Sequence, residues 1–246
     1  MTPAALFDRL AATYDAQWTA TAIGRAQRKQ VWNAIDPLFR AGDRILDIGC
    51  GTGEDAAHLE SRGVRVYAID ASPAMVRIAR SKGITATVRT AENLVPAGPT
   101  FDGAISNFGA LNCVEHLFLV AGSLAGVVRP GGRVAICLLG RVCAWETLHY
   151  ALRFQFAKAA RRWAGQASAS DITIHYPTVA EFRAAFSPHF ELQRWTAIGL
   201  FVPPSYVPLP GACIRALTAC DRLFSRVPLL RSLSDHRLFV LVRKPC

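Results

Sequence analysis

The sequence predicts an α/β fold: a doubly wound, mostly parallel sheet with helices on both faces and a helical insert in the C-terminal half. Short apolar segments alternate with helical segments over residues 44–138, which is typical of a parallel sheet buried on both sides. Three glycines, Gly49, Gly51 and Gly53, follow the first apolar segment at every second position, and Asp70 ends the second segment. A glycine turn and an acid at these places indicate a nucleotide-type cofactor lying across the carboxyl ends of neighbouring strands.

Size and charge limit the classes of function. The chain has 246 residues, 51% of them hydrophobic, which is enough for one sizeable domain with a small appended lid. Its formal net charge is +10, from 28 Lys and Arg against 18 Asp and Glu, and this charge is compatible with an anionic partner. The basic residues are scattered among apolar ones, so a basic solvated surface is the simpler interpretation, and no nucleic-acid partner is expected.

Cysteine usage and the N-terminal residues predict a cytoplasmic protein. The seven cysteines are an odd number without a C-x-x-C pair, which indicates reduced thiols. No two Cys or His residues fall at ligand spacing within one turn, so we expect no metal site. The first ten residues lack the apolar core of a signal peptide, and the sequence has no run of about 18 apolar residues that would span a bilayer.

The N-terminal part, residues 4–38, is predicted to be helical because its apolar side chains recur at helical spacing. One apolar face carries Leu6, Leu10, Tyr14 and Trp18, and a later one carries Val31, Ile35 and Leu38. The pair Asp36-Pro37 is expected to end this helical region.

The central part alternates strands with helices, judged from apolar runs, periodicity and turn residues. Strands are predicted at residues 44–48, 65–69, 85–88, 102–106 and 133–138. Helices are predicted at residues 54–62, 73–81, 91–94 and 114–128. Residues 129–132, Arg-Pro-Gly-Gly, are expected to form a tight turn before the fifth strand.

The C-terminal part changes character after Gly140. Thr178 and Glu181 have the spacing of a capping box at the start of a helix. The other predicted elements are an aromatic-rich helix over 142–163, a linker of small residues over 165–170, an exposed strand over 172–176, a strand over 190–195, a basic amphipathic helix over 211–226 and a closing strand over 238–242.

The glycine spacing narrows the choice of cofactor. A dinucleotide-binding turn has the pattern G-x-G-x-x-G and places a pyrophosphate on the N-terminus of the next helix. Here the pattern is G-x-G-x-G, and Glu54 and Asp55 follow it directly. Acids at this place would repel a pyrophosphate but tolerate a ligand with a cationic centre. The spacing therefore disfavours an NAD-dependent reductase.

Four segments carry a resemblance to a known family: ILDIGCGTG (45–53), VYAIDASPAM (66–75), FDGAISNFGALNCV (101–114) and RPGGRVAI (129–136). In order and spacing they resemble the class I S-adenosylmethionine-dependent methyltransferases, most of all the small-molecule and lipid-quinone branch. The segment FDRLAATYD (7–15) is similar to the N-terminal helix of that branch. The resemblance covers residues 6–140 and, more loosely, the closing strand at 237–243.

The resemblance implies a Rossmann-like methyltransferase fold with a seven-stranded sheet, and S-adenosyl-L-methionine as the cofactor. It implies one domain over residues 1–246, divided into an N-terminal helical cap (1–40), a cofactor-binding core (41–140), a substrate or lid region (141–235) and a closing strand (236–246). The implied activity is methyl transfer to a small or lipophilic acceptor. The alternative is a catalytically silent relative that acts as a binding or scaffold protein.

The resemblance also implies cofactor contacts. Asp47 would order the glycine loop and reach the methionine amine, and Asp70 would accept hydrogen bonds from both ribose hydroxyls. The loop itself, with Gly49, Cys50, Gly51 and Gly53, would pass beneath the amino-acid and ribose parts. The remaining contacts are with the adenine (Ala71, Ser72, Met75, Ala91 and Glu92), with the methionine tail and methyl group (Asn107 and Phe108) and with Tyr14 of the N-terminal helix. For Tyr14, core packing is an equally good interpretation.

One residue departs from the family pattern at the adenine. Many relatives carry an acid just before the position of Ala91 and Glu92, where it binds the adenine amino group. This chain has Thr90 there. Either Thr90 and backbone groups share that contact, or Glu92 is displaced.

The candidates for acceptor-side catalysis are His175, Tyr176 and His149. S-adenosylmethionine carries an activated methyl group, so a base is needed only for an acceptor that must lose a proton. His175 and Tyr176 lie on the predicted strand before the capping box, and His149 lies in the aromatic-rich helix. Packing within a lid is the alternative role for His149.

Large apolar residues and arginines interleave after residue 140, among them Phe154, Phe156 and Trp163. One interpretation is a lid over a small or lipid-like acceptor, with a basic face that contacts an anionic membrane. The other is a set of ordinary amphipathic helices packed on the sheet. The sequence leaves both interpretations open, together with the oligomeric state.

Overall fold

The computed structural model describes residues 1–94, 101–207 and 209–245. The α-helices are α1 (Pro3–Tyr14), α2 (Ala22–Ile35), α3 (Glu54–Glu60), α4 (Pro73–Ser81), α5 (Leu117–Val127), α6 (Ala144–Ala151), α7 (Phe156–Ala159), α8 (Val179–Phe186) and α9 (Gly211–Phe224). The strands are β1 (Arg44–Ile48), β2 (Arg65–Asp70), β3 (Ala86–Val88), β4 (Phe101–Ser106), β5 (Val128–Leu139), β6 (Gln166–Ala169), β7 (Ile172–His175), β8 (Phe190–Ile198) and β9 (His236–Arg243). No helix in the described ranges has the length and apolar character needed to cross a bilayer.

The main sheet has seven strands in the order β3-β2-β1-β4-β5-β9-β8. The strands from β3 to β5 run parallel, whereas β9 is antiparallel to both β5 and β8. The strand order reverses between β1 and β4, and α/β sheets hold ligands at the carboxyl ends of strands beside such a reversal. The predicted fold class, a doubly wound and mostly parallel seven-stranded sheet, is therefore confirmed.

Two apolar layers cover the faces of this sheet. On one face the rings of Phe182 and Phe186 stack 4.5 Å apart, and Phe182 also lies 4.0 Å from Phe239. On the other face Val31 and Ile35 of α2 are fully buried against the central strands. Because helices cover both faces, the central strands are apolar on both sides, which is why their sequence shows apolar runs instead of alternation.

A buried charged cluster joins the C-terminal insert to the sheet. The Glu146 carboxylate accepts two hydrogen bonds from Arg161 (2.8 and 2.9 Å), one from Arg162 (2.7 Å) and one from the Tyr206 hydroxyl (2.7 Å). Arg162 also binds Asp235, next to β9, at 3.0 Å. Burial alone would raise the pKa of Glu146, but the two arginines hold it below its usual value. The cluster therefore keeps its charges and fixes α6 and α7 to the sheet.

Most predicted elements are confirmed, some with shifted ends. The N-terminal helical region, the five central strands, the predicted helices at 54–62, 73–81 and 114–128, and the closing strand all have counterparts. The capping box is also present, since Glu181 N–H donates to Thr178 Oγ1 and Thr178 N–H donates to the Glu181 carboxylate.

Three predictions were wrong in detail. Residues 91–94 are not helical: 91 and 92 form a turn, and 93 and 94 have no regular structure. This agrees with the high cost of starting a helix from one turn. The helix predicted over 142–163 is broken between α6 and α7, and the linker predicted over 165–170 contains β6, which pairs with β7.

The tight turn predicted at 129–132 lies inside β5 as an irregularity of the sheet. Phe101 pairs with Val128, and the next pair is Gly103 with Arg133. Four residues of β5 therefore bulge out opposite one residue of β4.

Candidate cofactor-binding site

A cavity of about 450 Å³ opens at the carboxyl edge of β1, β2 and β4, beside the reversal of strand order. It is lined by α1 and by the loops that follow β1, β2, β3 and β4. The glycine loop after β1 forms one wall, and α1 forms another. This is the position at which doubly wound sheets bind their ligands.

Backbone geometry explains why the loop after β1 uses glycine. Gly49, Gly51 and Gly53 have φ angles of +69°, +53° and +85°, a region that residues with side chains rarely adopt. A Cβ at Gly51 would meet no described atom within 4 Å, whereas a Cβ at Gly53 would lie 3.1 Å from both Ala79 and Ile84. Gly51 thus leaves space on the cavity side, and Gly53 permits close packing against α4 and the segment before β3.

Asp70 ends β2 and lines the cavity. Its Oδ2 accepts a hydrogen bond from the Gly51 N–H, and its Oδ1 accepts one from the Ser72 N–H, each at 2.8 Å. Burial raises the pKa of Asp70, and the N–H donors act against that rise. A carboxylate has about four acceptor positions, so both oxygens keep capacity for hydroxyl donors of a ligand.

Two buried polar side chains near the cavity lack hydrogen-bond partners among the described residues. Asp47 is 1% exposed and its Oδ2 is unpaired, and Asn107 is 6% exposed with both atoms of its amide unpaired. Burial raises the pKa of Asp47 well above its ordinary value, and the nearby Asp55 adds to the rise. Unpaired buried groups are rare and destabilising. A polar ligand would pair Asn107, which lines the cavity, and a cationic group near Asp47 would stabilise its carboxylate.

Two acids, Asp8 in α1 and Asp15 directly after its last residue, hold α1 over the cavity. Asp8 accepts hydrogen bonds from the Ser72 hydroxyl (2.6 Å) and from an N–H in the first turn of α4 (2.9 Å). Asp15 accepts hydrogen bonds from the Thr52 hydroxyl (2.6 Å) and from the Lys82 ammonium group (2.8 Å). Ser72 and Thr52 are chain neighbours of residues that line the cavity, so these bonds tie α1 directly to the site.

An aromatic wall closes the cavity between α1 and β4. The Phe108 ring lies 4.6 Å from the Trp18 ring, and the Arg28 guanidinium lies 4.7 Å from Trp18 and 5.0 Å from Phe108. Arg28 is itself held by a buried ion pair with Asp55, at 2.6 Å. Burial raises the pKa of Tyr14 to about 12, although Arg28 acts against the rise. Tyr14 is therefore a neutral phenol at physiological pH.

The structure brings most of the sequence-predicted cofactor residues to this cavity. The lining residues among them are Tyr14, Gly49, Gly51, Asp70, Ala71, Met75, Ala91, Glu92, Asn107 and Phe108. Asp47, Cys50, Gly53 and Ser72 are not lining residues and are buried behind the cavity wall. Thr90, which replaces the acid of many relatives, also lines the cavity.

Sequence reasoning missed the roles of Asp8 in α1 and of Asp15 directly after it. The segment FDRLAATYD contains both Asp8 and Asp15, seven residues apart and therefore on one helical face. That spacing was a usable signal for a helix face that binds polar groups. The Arg28–Asp55 pair had no comparable signal, because its partners are 27 residues apart and meet only in the folded chain.

The predicted catalytic residue His175 lies outside the cofactor cavity. It lines a second cavity of about 350 Å³, which shares Leu111 and Val114 with the first. The Asn112 amide donates to the His175 carbonyl at 2.5 Å and accepts from the Leu139 N–H at 2.9 Å. Asn112 thus fixes the β6–β7 hairpin beside the carboxyl ends of β4 and β5.

The other two predicted catalytic residues also lie outside the cofactor cavity. Tyr176 is 4% exposed, and the Arg162 guanidinium lies 5.4 Å from its ring. His149 is half-buried on α6, with its Nδ1 3.0 Å from the Arg153 guanidinium. Both side chains take part in packing and polar contacts of the C-terminal insert.

Comparison with known proteins identifies the central part of the chain. Residues 45–132 match the family model described as a methyltransferase domain. This part of the chain is therefore similar to a methyltransferase domain. It is 33% identical over 138 residues to the demethylmenaquinone methyltransferase of Mycobacterium sp. (strain KMS), an alignment that covers 54% of this chain and 58% of that protein. It is 34% identical over 143 residues to the demethylmenaquinone methyltransferase of Thermobifida fusca (strain YX), covering 54% and 59%. The match spans less than two thirds of either relative.

Solved structures share the fold of the methyltransferase domain and of the elements around it. An S-adenosylmethionine-dependent methyltransferase from Mesorhizobium loti superimposes with a TM-score of 0.60 at 19% identity, covering 87% of this chain and 97% of that one. A methyltransferase from Thermotoga maritima, described as a possible histamine N-methyltransferase, gives 0.64 at 16% identity, covering 98% and 99%. At such identities the likeness establishes the fold. The fold that the resemblance to the class I methyltransferases implies is therefore confirmed.

Proposed function

We propose that this protein transfers a methyl group from S-adenosyl-L-methionine to a lipophilic, quinone-like acceptor. The observation that carries the proposal is the cavity of the methyltransferase domain, where the Asp70 carboxylate and the unpaired Asn107 amide flank the open side of Gly51. Hydroxyl, amine and carboxylate groups of a nucleoside joined to an amino acid would satisfy these side chains. The names of the relatives favour a quinone among lipophilic acceptors.

In this proposal each wall of the cavity holds one part of the cofactor. Asp70 accepts hydrogen bonds from the ribose hydroxyls, and the backbone at Gly51 lies beneath the ribose. Asp47 offers negative charge to the methionine amine, which would lower its raised pKa. Met75 supplies an apolar surface for the adenine, and Thr90 takes the place of the acid that many relatives use there.

For the proposed methyl transfer, the protein has to position the cofactor and the acceptor and to exclude water from the site. When bound, the cofactor supplies an activated methyl group on a positively charged sulfur. The rings of Tyr14 and Phe108 line this end of the cavity, and Trp18 packs against both of them. In this proposal they exclude water and give a cation a favourable surface.

The acceptor is proposed to enter from the side of the second cavity, in the region of residues 141–235. His175 lines that cavity and is our candidate base for an acceptor hydroxyl. Tyr176 and His149 lie farther into the packing of the insert, and we assign them positioning roles there. The division into a cap, a cofactor core, a substrate region and a closing strand remains part of this proposal.

The test is transfer of a labelled methyl group. Purified protein is incubated with methyl-labelled S-adenosylmethionine and a cell extract, and the extract is then separated into lipid, small polar and macromolecular fractions. We expect label in the lipid fraction. Label confined to protein or RNA would refute the acceptor class, and tight cofactor binding without transfer to any fraction would favour the silent relative.

A matched pair of variants tests the cofactor contacts by binding measurements. Asp70→Asn is expected to weaken cofactor binding about 10- to 150-fold by calorimetry, since hydrogen bonds to charged groups contribute about 1.5–3 kcal/mol. Asp102→Asn is the control, because Asp102 also accepts two hydrogen bonds, from Arg44 N–H (2.8 Å) and Arg129 Nε (2.7 Å), but at the opposite edge of the sheet. Equal binding by the two variants would refute the ribose assignment.

A further inference from the structure

The segment from α6 to β6 exposes large apolar side chains. Leu152, Phe154 and Phe156 are 70%, 83% and 64% exposed, and Leu148 and Trp163 are more than half exposed. The rings of Phe154 and Phe156 contact each other, with centroids 6.3 Å apart. We call these five residues the α6–α7 surface. Clustered exposed apolar side chains of this size mark an interaction site more often than a solvated face.

The backbone at the tip of this surface carries an aromatic residue where the fold does not require one. Phe154 has a φ angle of +56°, and its N–H donates to the Ala151 carbonyl at the end of α6. Glycine or asparagine is favoured at such a left-handed helix end. A glycine would make the same turn without exposing a ring to water, so the ring itself needs an explanation outside the fold.

The charged residues within the segment that carries most of the α6–α7 surface are all basic. Residues 147–170 contain Arg153, Lys158, Arg161 and Arg162 and no Asp or Glu. Arg161 and Arg162 are paired with the buried carboxylates of Glu146 and Asp235. Arg153 instead contacts the imidazole and carbonyl of His149, and Lys158 lies 5.7 Å from the Tyr150 ring. Within the described ranges these two cations have no carboxylate partner, so their charge is available to an anionic surface.

We propose that the α6–α7 surface docks on an anionic lipid bilayer. Aromatic and aliphatic side chains enter the boundary between headgroups and acyl chains, and Arg153 and Lys158 lie at the level of the lipid phosphates. An anionic bilayer matches the α6–α7 surface in two ways. Its acyl region can bury the apolar side chains, and its phosphates can pair with the basic residues beside them. A second copy of the chain fits less well, because it would place the same positive charges opposite each other.

The buried charged cluster makes the docking surface rigid. Glu146 of α6 binds Arg161 and Arg162, which follow α7, and Arg162 extends the cluster to Asp235. The next residue, His236, contacts the Phe108 ring, with centroids 5.4 Å apart, and Phe108 lines the cofactor cavity. A docked bilayer would therefore hold the whole catalytic domain in one orientation.

Vesicle binding tests the proposal with the full chain and without cofactor or acceptor. Co-sedimentation is measured with vesicles of phosphatidylcholine alone and with equal parts of phosphatidylcholine and phosphatidylglycerol. We expect binding to the anionic vesicles only. Phe154→Ser/Phe156→Ser should weaken it about tenfold or more, through loss of buried apolar area. Arg153→Gln/Lys158→Gln should weaken it about 25-fold, since each basic residue contributes roughly a factor of five.

Controls separate this surface from general stickiness and from the proposed reaction. Leu119→Ser/Val88→Ser removes apolar side chains of 44% and 51% exposure from other elements and should bind vesicles as the unaltered chain does. Equal loss in this control, or full binding by the Phe154→Ser/Phe156→Ser variant, would overturn the proposal. The proposal would also be overturned if the unaltered chain binds S-adenosylmethionine but no vesicles. The same holds if light scattering shows a dimer and the absence of vesicle binding is traced to a second copy covering the α6–α7 surface. That last result would leave the proposed reaction untouched.

Discussion

A Cβ added at Gly51 would meet open space, whereas one added at Gly53 would meet neighbouring side chains. The same substitution to alanine at the two positions should therefore separate an effect on cofactor binding from an effect on stability. Gly53→Ala adds a Cβ 3.1 Å from Ala79 and Ile84 at a φ of +85°, and we expect a stability loss of about 1–3 kcal/mol with cofactor affinity of the folded protein retained. Gly51→Ala places its Cβ in open space on the cavity side, so we expect affinity to fall about tenfold or more. Urea unfolding and calorimetry on both variants measure the two effects. The reverse pattern would show that Gly53, and not Gly51, lies under the ligand.

At the scale of elements, the docking of α1 should depend on pH through Asp8 in the helix and Asp15 directly after it. The pKa of Asp8 is lowered by the Ser72 hydroxyl and the α4 N–H, and that of Asp15 is lowered by Lys82 and Thr52 although burial opposes the shift. A carboxyl with a lowered pKa stabilises the fold above its ordinary pKa, and this contribution is lost as pH falls through the folded-state value.

We therefore expect Asp8→Asn/Asp15→Asn to lower the melting temperature near neutral pH and to reduce its further fall at pH values below about 4. Thermal unfolding over this pH range measures both effects, and faster proteolysis within residues 3–14 would locate them on α1. Glu191→Gln, an exposed acid on β8, is the control. If Glu191→Gln changes the dependence of melting temperature on pH as much as the double variant does, Asp8 and Asp15 do not hold α1 in place.

Elements and site residues could be predicted from the sequence where their structure is determined by residues nearby in the chain. The apolar residues of β1 indicate a buried strand, and the glycines after it indicate a turn with positive φ angles. Asp70 likewise marks the end of β2. The strand β6, by contrast, consists of the small and polar residues 166–169 and exists because β7 pairs with it. The missed contacts of the site, such as Asp8 with Ser72, join residues that are far apart in the sequence, and only the packed fold brings them together.

At the scale of the whole molecule, the Glu146 cluster ties together segments that are distant in the sequence. Glu146 is 1% exposed and has two arginines and a tyrosine hydroxyl as partners. Removing one member of a buried charged network leaves the others unpaired, which costs about 3–5 kcal/mol. An exposed pair, such as Glu181 with Arg141 at 3.4 Å, contributes about 0–1 kcal/mol.

We expect Glu146→Gln to lower the melting temperature by about 6–20 °C, since each kcal/mol shifts a chain of this size by about 2–4 °C. Glu181→Gln should shift it by no more than about 4 °C, because glutamine also keeps the capping box with Thr178. Combining Glu146→Gln with Arg161→Met should restore part of the loss, because the half-buried Arg161 cation, which would have lost its carboxylate partner, is then removed. If Glu146→Gln and Glu181→Gln have the same melting temperature, the insert is held by its apolar contacts alone. The rigid link from the α6–α7 surface to the cofactor cavity is then absent.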